Sequence, residues 1–297
     1  MSQKLLVTGA SGQLGQRVLH HLLNTIGVQP ADIVATTRKP ESLAALAARG
    51  VSVRAANFDD AQSLEQAFAG VDRLLLVSTD ALDRPGLRLT QHRNAVNAAK
   101  KAGVNHVVYT SMPNPETSLV LFAPDHAGTE AALAASSLPG WTVLRNHWYF
   151  ENLFQSLPSV LAAGGQWFSA AGDGKLANIS RDDLARAAAV VLAGSAGGKN
   201  VYTLSGEEAL TTAEQAKAIG ASIGRNIAVI PVPVEGLVQG MMGAGLPEPI
   251  ARLFASFDAN TAAGQVGNVT EDYRRITGLA PQTFAEWLAA NKPALAG

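Results

Sequence analysis

Short apolar runs alternate with segments of helical spacing throughout the first half of the chain. Each run is almost continuously apolar, which is typical of parallel strands that helices cover on both faces. The predicted strands cover residues 5–7, 33–37, 51–55, 73–77, 106–110 and 141–144, and the predicted helices cover about 13–26, 40–49, 61–69, 86–102 and 125–136. This rhythm implies right-handed crossovers and predicts an α/β fold with a doubly wound parallel sheet.

The second half is less regular, because glycine and proline residues interrupt it repeatedly. Its predicted elements are a helix over 181–192, a strand over 201–204, a helix over 211–223, a strand over 228–231 and a helical tail. We expect a sheet domain over 1–150 and a smaller, mostly helical lobe over 151–297. Within that lobe, residues at about 180–205 are expected to return to the sheet.

Three glycines follow the first strand at a spacing of three and lead into a helix. Gly9 can adopt a positive φ in the tight turn, Gly12 leaves room for a diphosphate, and Gly15 lets the helix approach the strand. The N–H groups at the start of the helix then face the phosphates. The motif predicts an NAD(P)-binding domain over 1–150, and the alternative is a plain glycine-rich turn. The predicted contacts are Gly9, Ala10, Ser11, Gly12, Gln13 and Leu14.

The end of the second strand indicates which dinucleotide is bound. An acidic residue about 20 positions after the glycines would hold a ribose 2′-hydroxyl and favour NAD(H). The chain instead reads Thr36-Thr37-Arg38-Lys39. Because an arginine there can pair with a 2′-phosphate or stack on adenine, we predict NADP(H), with NAD(H) as the second option. The alternative is a solvated Arg–Lys pair at the start of the next helix.

Further cofactor contacts are expected at the carboxyl ends of the strands, where ligands bind in open α/β sheets. Asn57 and Phe58 are predicted to line the adenine pocket. The other residues predicted at these ends are Ser78, Thr79, Thr110, Ser111, Leu144 and Asn146.

Composition excludes several functional classes. The net charge is −1 without a basic block, so we expect no nucleic-acid partner. The absence of cysteine excludes disulfides and thiolate chemistry, and no histidine pair has metal-helix spacing, so no metal is expected. No Gly-x-Ser-x-Gly elbow and no Walker lysine occurs. Without a signal peptide or a membrane-length apolar run, we expect a cytoplasmic protein, a monomer or a homodimer, that is not bound to a membrane.

The glycine turn, Arg38 and the Tyr109-Thr110-Ser111 strand end together resemble the NmrA-like group of atypical short-chain dehydrogenases/reductases. Within it, the chain looks most like the second type of bacterial NAD(P)H:quinone oxidoreductase and the related triphenylmethane reductases. The matching segments are TGASGQLG (8–15), QHRNAVNAAKKAGV (91–104), DHAGTE (125–130), LRNHWYFEN (144–152) and AAGDGKLANISRDDLA (170–185). The resemblance covers nearly the whole chain. It implies a Rossmann-like domain, NADP(H) and a small-molecule acceptor.

Ordinary members of the wider superfamily carry a Tyr-x-x-x-Lys pair, in which the tyrosine protonates the nascent alkoxide. No tyrosine here has that lysine, since Pro113, Leu153, Gly206 and Thr277 occupy the position. Reduction of a ketone gives an alkoxide whose conjugate acid has a pKa of about 16, whereas reduction of a quinone gives a phenolate of pKa about 10. The difference lowers the demand on an active-site acid by roughly 8 kcal/mol. A quinone or a similarly electron-poor conjugated acceptor is therefore favoured.

Two other functions remain open from the sequence. The protein could bind NADP(H) and a partner protein without turnover, as NmrA-like redox sensors do. It could also reduce a specialised pathway intermediate, which the sequence does not distinguish from a quinone.

Aromatic residues concentrate just after the last strand of the first half, between Trp141 and Phe168. Flat apolar walls suit a flat ring acceptor, and a tyrosine adds a hydrogen bond. We predict Trp148, Tyr149 and Phe150 as acceptor contacts, with Tyr149 also in a catalytic role. The alternative is that many of these rings form the core of the second lobe.

Three further residues are assigned to the reaction site. Family analogy places Asn146 near the nicotinamide as a catalytic residue. Lys175, in the GDGK loop, is predicted to reach a phosphate or the acceptor, and Met241 to belong to a mobile apolar lid. A solvated lysine and ordinary helix packing are the respective alternatives.

His126 is the best candidate for a proton donor, because its position matches the helix that usually bears the catalytic tyrosine and because histidine titrates near neutrality. The alternative is a surface histidine that pairs with Glu130 four residues later.

Overall fold

The computed structural model describes residues 3–82 and 84–296. The first part of the chain alternates strands and helices as its hydrophobic pattern predicts. Its elements are β1 (Leu5–Val7), α1 (Gln13–His20), β2 (Ile33–Thr37), α2 (Ala44–Ala48), β3 (Ser52–Ala55), α3 (Ala61–Phe68), β4 (Arg73–Leu76), α4 (Leu87–Lys101), β5 (His106–Ser111), α5 (Ala123–Ala135) and β6 (Gly140–Asn146).

The second part is more helical, and its strands are mostly short. Its elements are α6 (Leu153–Ala162), β7 (Gln166–Ser169), β8 (Lys175–Leu176), α7 (Arg181–Ala193), β9 (Lys199–Leu204), β10 (Leu210–Thr211), α8 (Thr212–Ile223), β11 (Ala228–Pro231), α9 (Val234–Gly243), α10 (Glu248–Ala262), α11 (Asp272–Thr277) and α12 (Phe284–Ala296).

One seven-stranded sheet organises the molecule, with the strand order β3-β2-β1-β4-β5-β6-β9. Every pairing within it is parallel. The order reverses between β1 and β4, which is the topological switch point where ligands bind in such sheets. The prediction of a Rossmann-like, doubly wound fold is confirmed.

Two apolar layers cover the two faces of this sheet. On one face α1 and α7 pack against the strands, with Val18 and Leu184 both fully buried. On the other face α3, α4 and α5 contribute Leu64, Val96 and Leu133. Helix α7 and strand β9 therefore belong to the large sheet layer, although they follow α6 in the chain.

The remaining helices form a smaller apolar cluster of their own. Phe284 and Trp287 of α12 pack there against α6 and Ile219 of α8. Two small sheets, β8 with β10 and β7 with β11, border this lobe. None of the helices in the described ranges combines the length and apolarity that crossing a bilayer requires.

One predicted helix differs from its expected form, and one segment without a predicted element is helical. The first helix is α-helical only to His20 and continues as a π-helical turn over His21–Ile26. The stretch over 235–249, rich in glycine, methionine and proline, contains the regular helix α9, whose Met241 is half-buried against Val238 and α10. Apolar packing between α9 and α10 explains why that glycine-rich segment is helical.

Candidate active site

The glycine turn after β1 has the geometry that a bound diphosphate requires. Gly9 has a φ of +57°, which a side chain rarely permits. A Cβ at Gly15 would lie 2.3 Å from the carbonyl oxygen of Gly9, so only glycine lets α1 approach β1 this closely. Gly12 precedes α1, and no side chain caps the helix. The first-turn amides of Gln13 and Leu14 are therefore available to an anion.

Hydrogen bonds fix this turn to the end of β2. The amide of Ala10 donates to the carbonyl of Thr36 at 3.0 Å, and Ser11 Oγ lies 3.0 Å from Thr37 Oγ1. Arg38 follows immediately, with an exposed side chain that makes no ion pair with any described residue. An exposed guanidinium beside a diphosphate turn can hold a 2′-phosphate, as the sequence predicts.

The turn after β3 is shaped by its own side chains. Asn57 Oδ1 accepts from the amide of Asp59 at 3.1 Å, and Asp60 caps α3. Phe58 is half-buried against the layer that contains α3 and α4, and its carbonyl accepts from Asn94 Nδ2 at 3.0 Å. These contacts fix the positions of Asn57 and Phe58. Their contact with the adenine of a cofactor stays a prediction.

Strands β4 and β5 end in a connected set of polar groups. The amide of Ser78 donates to Thr110 Oγ1 at 2.9 Å, and the amide of Thr79 donates to His92 Nε2 at 3.0 Å. Because Nε2 accepts, the proton of His92 sits on Nδ1, which donates to Thr129 Oγ1 at 2.8 Å. The predicted contacts Ser78, Thr79 and Thr110 therefore lie together at the sheet edge.

His126 does not have the surroundings that either sequence interpretation requires. It is 3% exposed, and its Nδ1 lies 2.8 Å from the hydroxyl of Tyr109. Burial, together with Arg88 and His92, holds the pKa of His126 well below its usual value, so the ring is neutral at pH 7. The side chain is therefore neither a protonated acid nor a surface histidine.

Glu130 has other partners than His126. Arg145 donates to both of its carboxylate oxygens, from Nε at 3.1 Å and from Nη2 at 2.6 Å. Ser111 Oγ also donates to Glu130, at 2.6 Å. The carboxylate of Glu130, four residues after His126, is thus neutralised by an arginine. Ser111 is tied into this pair rather than free in the cleft.

The segment after β6 brings polar and aromatic groups to the same edge. Asn146 is 5% exposed, and its Oδ1 is buried without a hydrogen-bond partner among the described residues. The ring of Tyr149 is half-buried, and the Arg181 guanidinium lies 4.9 Å from its centroid. Burial raises the pKa of Tyr149, and Arg181 and Asn146 offset part of this rise. The phenol is therefore protonated at pH 7.

Trp148 belongs to a small apolar cluster beside this edge. Its indole lies edge-on to Phe257 of α10 at 5.0 Å, and Phe257 in turn contacts Phe122 at 5.8 Å. Trp148 Nε1 is buried and has no partner among the described residues. We refer to Met112, Val120, Phe122, Ala123, Trp148 and Phe257 as the aromatic wall.

The other predicted acceptor contacts have different surroundings. Phe150 is 5% exposed and packs against Phe284 and Trp287, so it is a core residue of the lobe and not a wall of the cleft. Lys175 lies exposed in β8, and Leu144 is fully buried within the sheet layer. The side chain of Leu144 is therefore not available to a cofactor, but a backbone group of this residue could reach one.

Several residues at this edge were not predicted from the sequence. Arg88, Arg145 and Arg181 bring charge close to the strand ends, and Phe122 and Phe257 complete the aromatic wall. In the sequence, a basic residue next to an apolar run could have indicated these arginines. Such pairs are common on solvated helices, so the pattern does not single them out. Among the described residues, no cluster of His, Asp and Glu could hold a metal.

Comparisons with known proteins agree with this architecture. A model of the NmrA-like family matches residues 1–288. The chain is 36% identical to quinone oxidoreductase 2 of Escherichia coli over 282 residues, which are 95% of this chain and 96% of that protein. The crystal structure of the E. coli NADPH-dependent quinone oxidoreductase in complex with NADPH has a TM-score of 0.89 at 36% identity, covering 96% of this chain and 98% of that one. Citrobacter sp. triphenylmethane reductase with NADP(H) has a TM-score of 0.86 at 32% identity, covering 97% and 99%.

Proposed function

Since the chain belongs to the NmrA-like family, we propose that it is an NADPH-dependent reductase that passes hydride to a quinone or to a similarly electron-poor conjugated acceptor. That it is an NAD(P)H-dependent reductase follows from its relatives, which include an NADPH-dependent quinone oxidoreductase, an NAD(P)H azoreductase and a triphenylmethane reductase solved with NADP(H). The class of acceptor is the part that needs an argument from the site.

The residues at the sheet edge fit NADP(H). The uncapped start of α1 offers amides to the diphosphate, and Arg38 offers a guanidinium to the 2′-phosphate. Asn146 Oδ1 is a buried acceptor that no described residue bonds to, and a carboxamide N–H group would satisfy it. NADPH, when bound, supplies the hydride. The chain binds and orients both reactants and excludes water from the space between them.

The observation that carries the proposal is the burial of the histidines near the strand ends. His126 is neutral and hydrogen-bonded to Tyr109 in the interior, and no lysine lies four residues after any tyrosine. Burial holds the pKa of His92 at about 3, so this ring is not an acid either. Because these histidines cannot donate a proton at pH 7, the site suits an acceptor whose reduced form is a weakly basic phenolate rather than a strongly basic alkoxide.

The shape of the site supports the same conclusion. Trp148, which directly precedes Tyr149, and Phe122 each pack edge-on against Phe257, so the cluster offers half-buried apolar rings on which a planar acceptor can pack. A protonated Tyr149 hydroxyl can donate a hydrogen bond to an acceptor oxygen. Simple aliphatic ketones would gain little from this surface.

Turnover with a defined acceptor panel tests the proposal. The purified protein is mixed with NADPH and 1,4-naphthoquinone, substituted benzoquinones, a cationic triphenylmethane dye or cyclohexanone, and the loss of nicotinamide absorbance is followed without oxygen. We expect turnover with the quinones and none with cyclohexanone. Turnover restricted to the ketone, or none with any quinone, contradicts the proposal. A reaction lacking acceptor measures the background.

A further inference from the structure

Arg88, in the first turn of α4, is a buried cation without a carboxylate partner. It is 5% exposed, and it makes no ion pair with any described residue. Its Nε donates to the carbonyl of Thr79 at 2.6 Å, and its Cζ lies 4.9 Å from the centroid of the Phe122 ring. Nη1 is buried and has no hydrogen-bond partner in the described structure. The two N–H groups of Nη1 are therefore unused donors.

A buried guanidinium without an anionic partner lowers the stability of the folded protein. Removing a guanidinium from water without a compensating anion is strongly unfavourable, so buried arginines are normally paired. Burial lowers the pKa of Arg88, and the nearby Asp125, Asp80, Tyr109 and Tyr149 only partly offset this. His92 and His126, also close by, are neutral. Within residues 3–82 and 84–296, no carboxylate therefore forms an ion pair with Arg88.

The surroundings of Arg88 indicate which group could pair with its guanidinium. The Thr79 carbonyl lies just beyond β4, beside the switch point of the sheet. Phe122, on whose face the guanidinium rests, contacts Phe257, and Phe257 contacts Trp148. Arg88 also interacts electrostatically with Tyr149. The unpaired cation thus lies at the Phe122 end of the aromatic wall that contains Trp148, and within electrostatic range of Tyr149, two of the predicted acceptor contacts.

We propose that Arg88 is the residue that stabilises the oxyanion formed on the acceptor. This assignment rests on the proposed quinone reductase activity. Net hydride transfer breaks a C–H bond of the reduced coenzyme and delivers two electrons and one proton to the quinone. The products are the oxidised coenzyme and a hydroquinone monoanion, whose negative oxygen hydrogen-bonds to the guanidinium. Water then supplies the second proton. Arginine stays charged throughout, so it acts as a fixed electrostatic partner and not as an acid.

A purely structural role for Arg88 predicts a different result. In that case its hydrogen bond to Thr79 and its contact with Phe122 would merely hold α4 in place. Loss of the side chain would then weaken the reduction of every acceptor equally. An oxyanion role instead requires that the loss depend on the charge that develops on the acceptor.

The first test compares acceptors that differ in this charge. Arg88→Gln is expected to lower kcat/KM for quinones roughly 100-fold, with the largest loss for quinones whose hydroquinones are the weakest acids. Hydride addition to a cationic triphenylmethane dye gives a neutral product, so its rate should be unchanged or raised. Arg88→Lys should recover part of the quinone rate. Arg93→Gln, on the exposed face of the same helix, is the matched control and should change neither rate.

The second test needs no turnover. 4-Nitrophenol is titrated in the presence of excess protein and NADP⁺, and its ionisation is followed by absorbance. Next to Arg88 the bound phenol should ionise at a pH at least one unit lower than with Arg88→Gln. Thermal unfolding and NADPH affinity of the variants establish that they are folded.

The outcomes separate this inference from the proposed function. Equal losses with quinones and dye, or no difference between wild type and Arg88→Gln in the nitrophenol titration, would overturn the oxyanion role. Failure of 4-nitrophenol to bind the wild type would do the same. A normal downward shift of nitrophenol ionisation together with no quinone turnover would leave the oxyanion site standing and refute the quinone assignment.

Discussion

The hydroxyl of Tyr109 and Nδ1 of His126 lie 2.8 Å apart in the interior between β5 and α5. Both side chains are almost fully buried, and burial raises the pKa of Tyr109 while it lowers that of His126. The pair is therefore a neutral hydrogen bond that joins the sheet to a helix. It has the character of a structural contact.

We expect His126→Leu to lower stability without changing the pH dependence of catalysis. The substitution removes the close partner of the buried Tyr109 hydroxyl, which should lower the free energy of unfolding by about 1–3 kcal/mol. His126→Gln, which can still accept that hydrogen bond, should lose less. Urea unfolding measures the stabilities. A pH profile of kcat that loses its acid or base limb in His126→Leu would restore the histidine as a proton donor.

Arg38 is expected to select the phosphorylated coenzyme. Arg38→Ala should raise the KM for NADPH roughly tenfold or more, because a charge-assisted hydrogen bond contributes about 1.5–3 kcal/mol, and should change the KM for NADH less than twofold. Lys39→Ala, also exposed, serves as the control and should affect neither coenzyme strongly. Steady-state kinetics with both coenzymes decide the matter, and parallel changes for NADPH and NADH would remove Arg38 from the 2′-phosphate site.

Gly15 is expected to tolerate no side chain. In Gly15→Ala the new Cβ would lie 2.3 Å from the Gly9 oxygen and 2.9 Å from the Ala10 Cα, and both are backbone atoms that move only with the turn. We expect a loss of about 1–3 kcal/mol in stability and a marked loss of NADPH affinity by calorimetry. Gly240→Ala, inside α9 where the new Cβ would meet no described neighbour within 4 Å outside the local helix backbone, should gain about 0.5–1 kcal/mol. Unimpaired NADPH binding by Gly15→Ala would contradict this account of the turn.

His147 is expected to make the protein sensitive to acid. The ring is 1% exposed, and burial lowers its pKa to about 4. The unfolded chain, with a histidine pKa near 6.5, binds the proton first, so stability is complete above pH 6.5 and falls as the pH drops towards 4. This one group contributes about 3 kcal/mol to that loss. His147→Leu should remove that part of the slope, whereas replacement of the exposed His20 should leave it. Equal slopes of unfolding free energy against pH for wild type and His147→Leu would show that His147 does not titrate this way.

Local patterns determined much of this protein from its sequence. The apolar runs gave most strands to within two residues. Fully buried strands such as β1 and β4 are apolar at nearly every position. The glycine motif and the residues at the strand ends are equally local, since a parallel sheet brings its carboxyl ends to one edge. Fold class, NADP(H) as cofactor and membership of a reductase family therefore needed no tertiary information.

Tertiary packing decided which of the chemically capable side chains face the site. His126 and Phe150 have the residue types that catalysis and acceptor binding require, yet packing against Tyr109 and against Phe284 with Trp287 buries them. Arg88 resembles any helical arginine in the sequence, and only Thr79 and Phe122 show it to be a buried, unpaired cation. Burial and pairing depend on residues distant in the chain, and these set the charge and the pKa of a group. The sequence therefore supplies the chemical groups, and the fold determines their charge state and accessibility.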